Sequence, residues 1–509
     1  MTRVSRTSGK YGNRDGLIRF IQLVLAGIGL AFIGLYIAIA LQRLNYPYEL
    51  EWLEGATVDH VARVLDGQAI YARPSMDFVA FIYTPFYYYV SAAMATVTGI
   101  GFLPLRIVSL AASLGCLTIL FIWARRESGN WTVGLVAAGL FAATFRVTGA
   151  WFDLARVDSL ALLFLIMGAY QLRFAKSRGE SLVTALWLCL AIFTKQSYAP
   201  AVAGLCLYGI IADRKNAVWF VLPLVVLSGV VVVVTNYLTG GWFLYYVLTV
   251  PSRHSLDWST LGPFMTVDLL KQAPVLILGV FACVRLCIGD SRKSERWWWL
   301  CLVGGFLVSG WLGRAHQGGY DNVLMPAYAA LSLCGAVGIW KLADRFARGA
   351  TARWRMLSSL IYAALGLQFV FFSYKPGDQI PSAWDRESAQ MVVRSMARVK
   401  GEVLMPFHGY LPTLAGKSSQ LHKIAWSDVT AADTSMKKEL EAELFAALRT
   451  HRFSLLVLDA SWYTDTVGKY YQLHRSASTF KESLHPLTGL ETFPSYWLVP
   501  KDPDQSDAR

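Results

Sequence analysis

Three carboxylates, Glu49, Glu51 and Glu54, crowd the stretch YPYELEWLEGATVDH that follows the first long apolar run of the chain. A second group, Asp153, Arg156 and Asp158 in WFDLARVD, sits where a later apolar run begins. Lys195 in TKQSYAP, Arg253 and His254 in VPSRHSLDW, and Arg314 and His316 in GRAHQGGYDN add cations and imidazoles at the ends of other runs. Charged groups beside apolar spans are costly and usually functional. Acids and cations gathered at membrane level suit one task. A carboxylate takes a proton from a nucleophile while cations neutralise a phosphate leaving group anchored in lipid. A structural salt bridge between Arg156 and one of the acids is the simpler alternative.

The elements that must position these residues are membrane helices. Of the 509 residues 55% are hydrophobic and 16% charged, whereas soluble domains run at about 45–50% and about 25%. The net charge of +13 falls in short Lys/Arg clusters between apolar runs, a pattern that orients helices in a bilayer and gives no reason to expect a nucleic-acid partner. The run from Leu17 to Leu41 is too long for a signal-peptide core and reads as an uncleaved signal anchor. Further spans are expected at about 103–123, 131–151, 158–174, 181–195, 198–212, 217–238, 272–289, 297–313, 322–341 and 355–373.

That makes an α-helical polytopic membrane protein of about 11 spans. Arg3, Arg6, Lys10 and Arg14, then Arg125/Arg126, Arg173/Lys176/Arg178, Arg214/Lys215, Arg292/Lys293/Arg296 and Lys341/Arg345/Arg348/Arg353/Arg355, mark the cytoplasmic side. The stretch 77–99 is apolar enough to cross, but crossing there would invert every later loop. It is therefore read as interfacial or re-entrant, broken by Pro85 and rich in Tyr; 12 or 13 spans is the alternative count. All eight His fall outside the spans, on the external face, which leaves no paired axial ligands for a membrane haem. Cys283 and Cys287, one turn apart, are expected to pack as small hydrophobes rather than to bind metal.

Residues 1–373 then form the transmembrane domain. Residues 374–509 alternate helical patterns (SAWDRESAQMVVRSMARVKG, SMKKELEAELFAALRTHRF) with short apolar stretches (EVLMPF, SLLVLDA, SYWLVP), which predicts a small extracytoplasmic α/β domain. His408 in MPFHGYLP is expected to be a loop residue.

Taken in order, EGATVDHVARVLDGQAIY, the aromatic YTPFYYYV, RVD before a span and TKQ resemble the C-type (GT-C) membrane glycosyltransferases, within them the protein O-mannosyltransferase and lipid A aminoarabinose transferase group. The resemblance covers about residues 15–340, by order and spacing of motifs. It implies an integral membrane enzyme, in the bacterial inner membrane, that moves a sugar from a polyprenyl-phosphate-linked donor to a glycan, lipid or protein acceptor on the extracytoplasmic face. Glu54 matches the first-loop acid and Asp158 the second. Because EWLEG departs from the Asp-Glu pair of the group, Glu51 competes with Glu54 as the base. Glu54 is expected to act, since it opens a helix suited to lying on the membrane surface while Glu51 precedes it on chain less firmly held. Lys195, Arg253 or Arg314 would neutralise the departing phosphate, with Arg156, His254 and His316 lining the substrate site. Asp158 would orient the acceptor or hold a divalent cation, Mg or Mn. A lipid-linked sugar transporter or a non-catalytic scaffold of envelope assembly are the rival readings.

Overall fold

The computed structural model describes residues 9–212, 214–286, 293–348, 351–476 and 484–501. Arg3, Arg6, Cys287 and Arg292 lie outside them. Each of the eleven apolar runs forms a helix: α1 (Gly9–Leu44), α4 (Phe102–Ser128), α5 (Trp131–Ala143), α6 (Asp158–Phe174), α7 (Arg178–Thr194), α8 (Ala199–Ala212), α9 (Arg214–Leu238), α10 (Pro274–Leu286), α11 (Lys293–Ala315), α12 (Met325–Ala347) and α13 (Ala352–Phe371). By length and composition five of these are able to cross a bilayer: α1, α4, α9, α12 with the turn before it, and α13. A sixth candidate is α10 joined to Trp258–Leu270 across a 95° bend.

Without water to compete, helices in lipid associate through close backbone approach and van der Waals packing. Here α1 meets α5 at Gly29 and Gly139, where a Cβ on Gly139 would lie 2.2 Å from the Cα of Gly29. The same device joins α10 to α12 at Gly279 and Gly338.

The stretch 77–99 is not one helix. It starts as irregular chain and ends in α3 (Phe86–Thr98), whose 13 residues rise only about 20 Å at 1.5 Å each, short of the hydrocarbon core. Before it lies α2 (Glu54–Leu65), the surface helix expected from the sequence. It does not rest against open membrane surface. Residues Glu54 to Val58, His60 and Val61 are buried, covered in part by the C-terminal unit, where the backbone N–H of Tyr410 donates to Asp59 at 3.0 Å.

In that unit, helices α14 (Ala383–Ala397), α15 (Lys423–Ala432) and α16 (Thr434–Arg449) accompany a four-stranded sheet. Strands β1 (Glu402–Leu404), β2 (Phe453–Leu458), β3 (Tyr471–Ser476) and β4 (Tyr496–Pro500) lie in the order β1-β2-β4-β3. Strands β1 and β2 are parallel, and β4 pairs antiparallel with both β2 and β3. Because β1 and β2 run the same way, their carboxyl ends open onto one edge, and the loops leaving that edge reach the loop between α1 and α2.

Candidate active site

The 44–54 loop is pinned by an arginine that belongs to a membrane helix. Arg106, in the second turn of α4, is fully buried. It donates to the carbonyls of Tyr46 (2.5 Å) and Tyr48 (2.6 Å) and makes a two-pronged pair with Glu54, Nε to Oε1 at 3.0 Å and Nη2 to Oε2 at 2.6 Å. Glu54 also accepts the backbone N–H groups of Leu50 (2.7 Å) and Ala155 (2.6 Å). Burial favours its neutral form, but the Arg106 guanidinium and these N–H donors outweigh burial and hold its pKa below the usual carboxylate range. Glu54 is thus an ionised strut with no oxygen free of a donor.

Glu51 differs in its partners. It too is wholly buried, yet neither oxygen has a hydrogen-bond partner among the described residues. The nearest cation is Arg156, Nε 3.7 Å from Oε2, which is beyond hydrogen-bond reach. Burial drives the Glu51 pKa up, Arg156 and the nearby Leu53 N–H oppose, Glu54 and Glu49 add, and the outcome is about 8. Arg156 Nη2 donates to the Tyr83 hydroxyl at 3.1 Å, while its buried Nε and Nη1 have no hydrogen-bond partner among the described residues. Its guanidinium stands 5.8 Å from the Trp151 ring and 5.4 Å from that of Tyr83. Above Glu51 passes the segment around Thr488 and Gly489, and a Cβ on Gly489 (φ +86°) would lie 2.9 Å from the Glu51 Cγ.

Asp158 opens α6, where a carboxylate is favourable against the helix dipole. Its Oδ1 accepts Lys195 Nζ at 2.5 Å and Asn322 Nδ2 at 2.8 Å, and its Oδ2 accepts the Trp151 indole at 3.0 Å. Glu54, Glu51, Arg156, Asp158 and Lys195 therefore form one buried constellation, together with the Arg43–Asp153 pair at 3.1 Å. A divalent cation finds no fit there. The oxygens of Asp158 and Glu54 are taken by N–H donors, Glu51 and Asp153 face guanidinium groups, and no His/Cys/Asp/Glu group able to hold a metal occurs among the described residues.

The remaining four predicted residues lie apart. Arg314 bridges Asp268 (2.9 Å) and Asp321 (2.8 Å), the latter next to Asn322. Arg253, half exposed, is 3.8 Å from Asp433. The rings of His254 and His316 are 5.1 Å apart, with His254 Nε2 3.0 Å from the Asp428 carbonyl.

Sequence reasoning missed Arg106, although a lone arginine inside an expected span is a signal in itself. His408 lies in a loop, as expected, but it is buried there between two carboxylates, Nδ1 2.6 Å from Glu49 and Nε2 2.7 Å from Asp459. No local pattern in the sequence could have paired residues 359 positions apart. Glu49 and Glu51, which precede Glu54 on chain expected to be less firmly held, are buried as it is, because Arg106 grips the carbonyls of Tyr46 and Tyr48 before them and the Glu54 carboxylate after them.

Residues 83–239 match the family model described as dolichyl-phosphate-mannose-protein mannosyltransferase. No curated protein matches in sequence. Among solved structures the chain is similar to ArnT from Cupriavidus metallidurans bound to undecaprenyl phosphate, with 10% identity, a TM-score of 0.60, and coverage of 94% of this chain and 99% of that one. It is also similar to the oligosaccharyltransferase AglB from Archaeoglobus fulgidus in complex with an inhibitory peptide and a dolichol-phosphate, with 10% identity, a TM-score of 0.51, and coverage of 84% and 69%. The Archaeoglobus enzyme in complex with Zn and sulfate gives 10% identity, a TM-score of 0.53, and coverage of 89% and 71%. The helical bundle, the burial of its charges at one end and these likenesses together identify the chain as an integral membrane protein of the GT-C fold.

Proposed function

We propose that this protein is a glycosyltransferase that moves a sugar from a polyprenyl-phosphate-linked donor to an acceptor hydroxyl of an envelope glycan, lipid or protein, on the extracytoplasmic face of a bacterial inner membrane. One observation carries the reading: in a fold shared with a protein bound to undecaprenyl phosphate, Glu51 is a buried, unpartnered carboxylate with its pKa at about 8, facing an arginine that has donors to spare. Such a carboxyl, unlike Glu54, gains by taking up a proton.

Glu51 accepts the proton of the acceptor hydroxyl as its oxygen bonds to the anomeric carbon. The bond from that carbon to the phosphate oxygen breaks with its electron pair on the phosphate, in one inverting displacement. Arg156, and Lys195 positioned by Asp158, offset the charge that develops on the leaving phosphate. Glu54 keeps the loop in shape through Arg106 and takes no proton. The segment around Thr488 and Gly489 covers Glu51, so acceptor entry requires it to lift. Residues 1–373 supply the bundle, and 374–509 the extracytoplasmic unit that closes over it.

The test is to supply the purified protein with a polyprenyl-phosphate-linked sugar and an acceptor and to measure polyprenyl phosphate release. Release that depends on Glu51 supports the reading, while an intact donor after prolonged incubation with candidate acceptors favours a transporter or scaffold. Sidedness is tested with single cysteines at Lys176 and Ser382, both exposed, in a Cys-free background. A membrane-impermeant thiol reagent should label only the second from outside.

A further inference from the structure

The proposed transfer leaves one buried charge cluster unexplained. His408 lies where the loop after β1 leaves the carboxyl edge of the sheet, and Asp459 directly follows β2, which is parallel to β1. The sheet therefore delivers both side chains to one point. Facing them, Glu49 belongs to the same short loop as Glu51 and also accepts the backbone N–H of Gly55, at 3.2 Å, in the first turn of α2. Glu49, His408 and Asp459 have side chains no more than 2% exposed. Burial works against an imidazolium, yet Asp459 and Glu49, by charge and by hydrogen bond, raise the His408 pKa well above its usual value.

The backbones also meet without a side chain between them. A Cβ on Gly55 would lie 2.2 Å from the Gly409 carbonyl oxygen, and one on Gly409 would lie 2.2 Å from the Ala56 nitrogen. Lys423 N–H to the Pro406 carbonyl (2.6 Å) braces the His408 loop from behind.

Resting on the glycosyl-transfer reading, we infer that His408 is a positioning residue: as a cation between Glu49 and Asp459, it clamps the C-terminal unit onto the first loop and sets where the Glu51 carboxylate stands. Loss of its charge leaves two buried carboxylates facing one another. Like charges so placed repel or take up protons, and either relaxes the loop that carries Glu51. His408 touches no reacting atom in this scheme, so its effect falls on turnover and not on donor affinity.

His408→Gln keeps the approximate size and one donor group but neither the charge nor the second donor, while His408→Lys keeps the charge. Deuterium uptake in 46–58 reports docking, and kcat with donor KM reports transfer. His408→Gln should speed exchange in 46–58 and cut kcat by about tenfold to a hundredfold, the cost of misplacing a catalytic group by an ångström or so, with donor KM nearly unchanged. His408→Lys should recover most of both. Wild-type exchange and turnover in His408→Gln, or equal damage in both variants, would overturn the clamp. If His408→Gln does not fold, Asp459→Asn takes its place, with faster exchange and lower kcat expected and their absence equally fatal. If even the wild type releases no polyprenyl phosphate, the transfer reading fails, and exchange alone still decides the clamp.

Discussion

Around residues 46–54 and 151–158 every charged side chain is sealed from solvent, and the hydrogen-bond donors are shared unevenly: four reach Glu54, while no described residue hydrogen-bonds Glu51. In the loops near residues 253 and 314, Arg253 is half exposed and Arg314 about four-fifths buried, and each is already paired with aspartate. Both regions sit at the ends of apolar helices and look alike in sequence. What separates them is convergence. The first region is drawn together by Arg106, reaching out of α4 to three carbonyls and a carboxylate. The second spreads its charges over separate ion pairs. The first region thereby encloses a carboxylate, Glu51, that has no hydrogen-bond partner among the described residues, whereas the acids near Arg253 and Arg314 are held by those arginines.

The largest test of that contrast compares the two carboxylates within it. Glu51→Gln should lower kcat by about 10²–10⁴-fold, the usual loss when a general base goes, with folded yield unchanged. Glu54→Gln should damage the fold instead. It strips Arg106 of its partner and leaves a buried guanidinium uncompensated, which costs about 3–5 kcal/mol. Melting temperature and the activity per folded molecule read the two apart. Should Glu54→Gln fold normally and fail to turn over, the base is Glu54.

A smaller effect is expected from pH. The pKa of Glu51 is raised to about 8, so kcat/KM should climb about tenfold per unit as pH rises toward 8 and then level off. The stability sign is opposite. The unfolded carboxyl titrates near 4.3, so between about 4.3 and 8 the folded protein holds a proton that unfolding releases, and stability falls as pH rises through that window. Glu51→Gln cannot titrate and should flatten that slope between pH 6 and 8. A slope unchanged by the substitution would mean that another group carries it.

The helices were legible because period and apolar length are local properties. All eleven apolar runs became helices, and Pro85 correctly signalled that 77–99 is broken. In the tail, α14, α16, β1, β2 and β4 follow the expected alternation, whereas α15 and β3 went unseen. Of the site, Glu51, Glu54, Arg156, Asp158 and Lys195 were all named from sequence. The roles proposed for them depend on donors that arrive from elsewhere: Arg106 from α4 to Glu54, Ala155 N–H to the same carboxylate, and no hydrogen bond to Glu51 among the described residues. Position at a helix start favoured Glu54 as the base; the proposed scheme makes it a strut instead, because Arg106, Leu50 N–H and Ala155 N–H, all from outside that helix, occupy its oxygens.

The smallest effects should come from the cations, and their order tests whether burial or mere proximity to a span end sets a cation's role. Lys195 is enclosed and bonded to Asp158 at 2.5 Å, so Lys195→Gln removes a desolvated charge and should raise donor KM the most. Arg314 is about four-fifths buried and shared between Asp268 and Asp321. A phosphate would have to compete with two carboxylates for it, so Arg314→Gln should matter less, chiefly by loosening the turn that carries Asn322 to Asp158. Arg253 is 52% exposed at its side chain and 3.8 Å from Asp433. Exposed pairs of this kind contribute about 0.2–1 kcal/mol and weaken with salt. Arg253→Gln should therefore change donor KM by no more than about fivefold, the factor equivalent to that upper limit, and the change should shrink at high ionic strength. A donor KM that rises more for Arg253→Gln than for Lys195→Gln, and stays so in high salt, would move the lipid phosphate out of the buried constellation and onto the 245–258 loop.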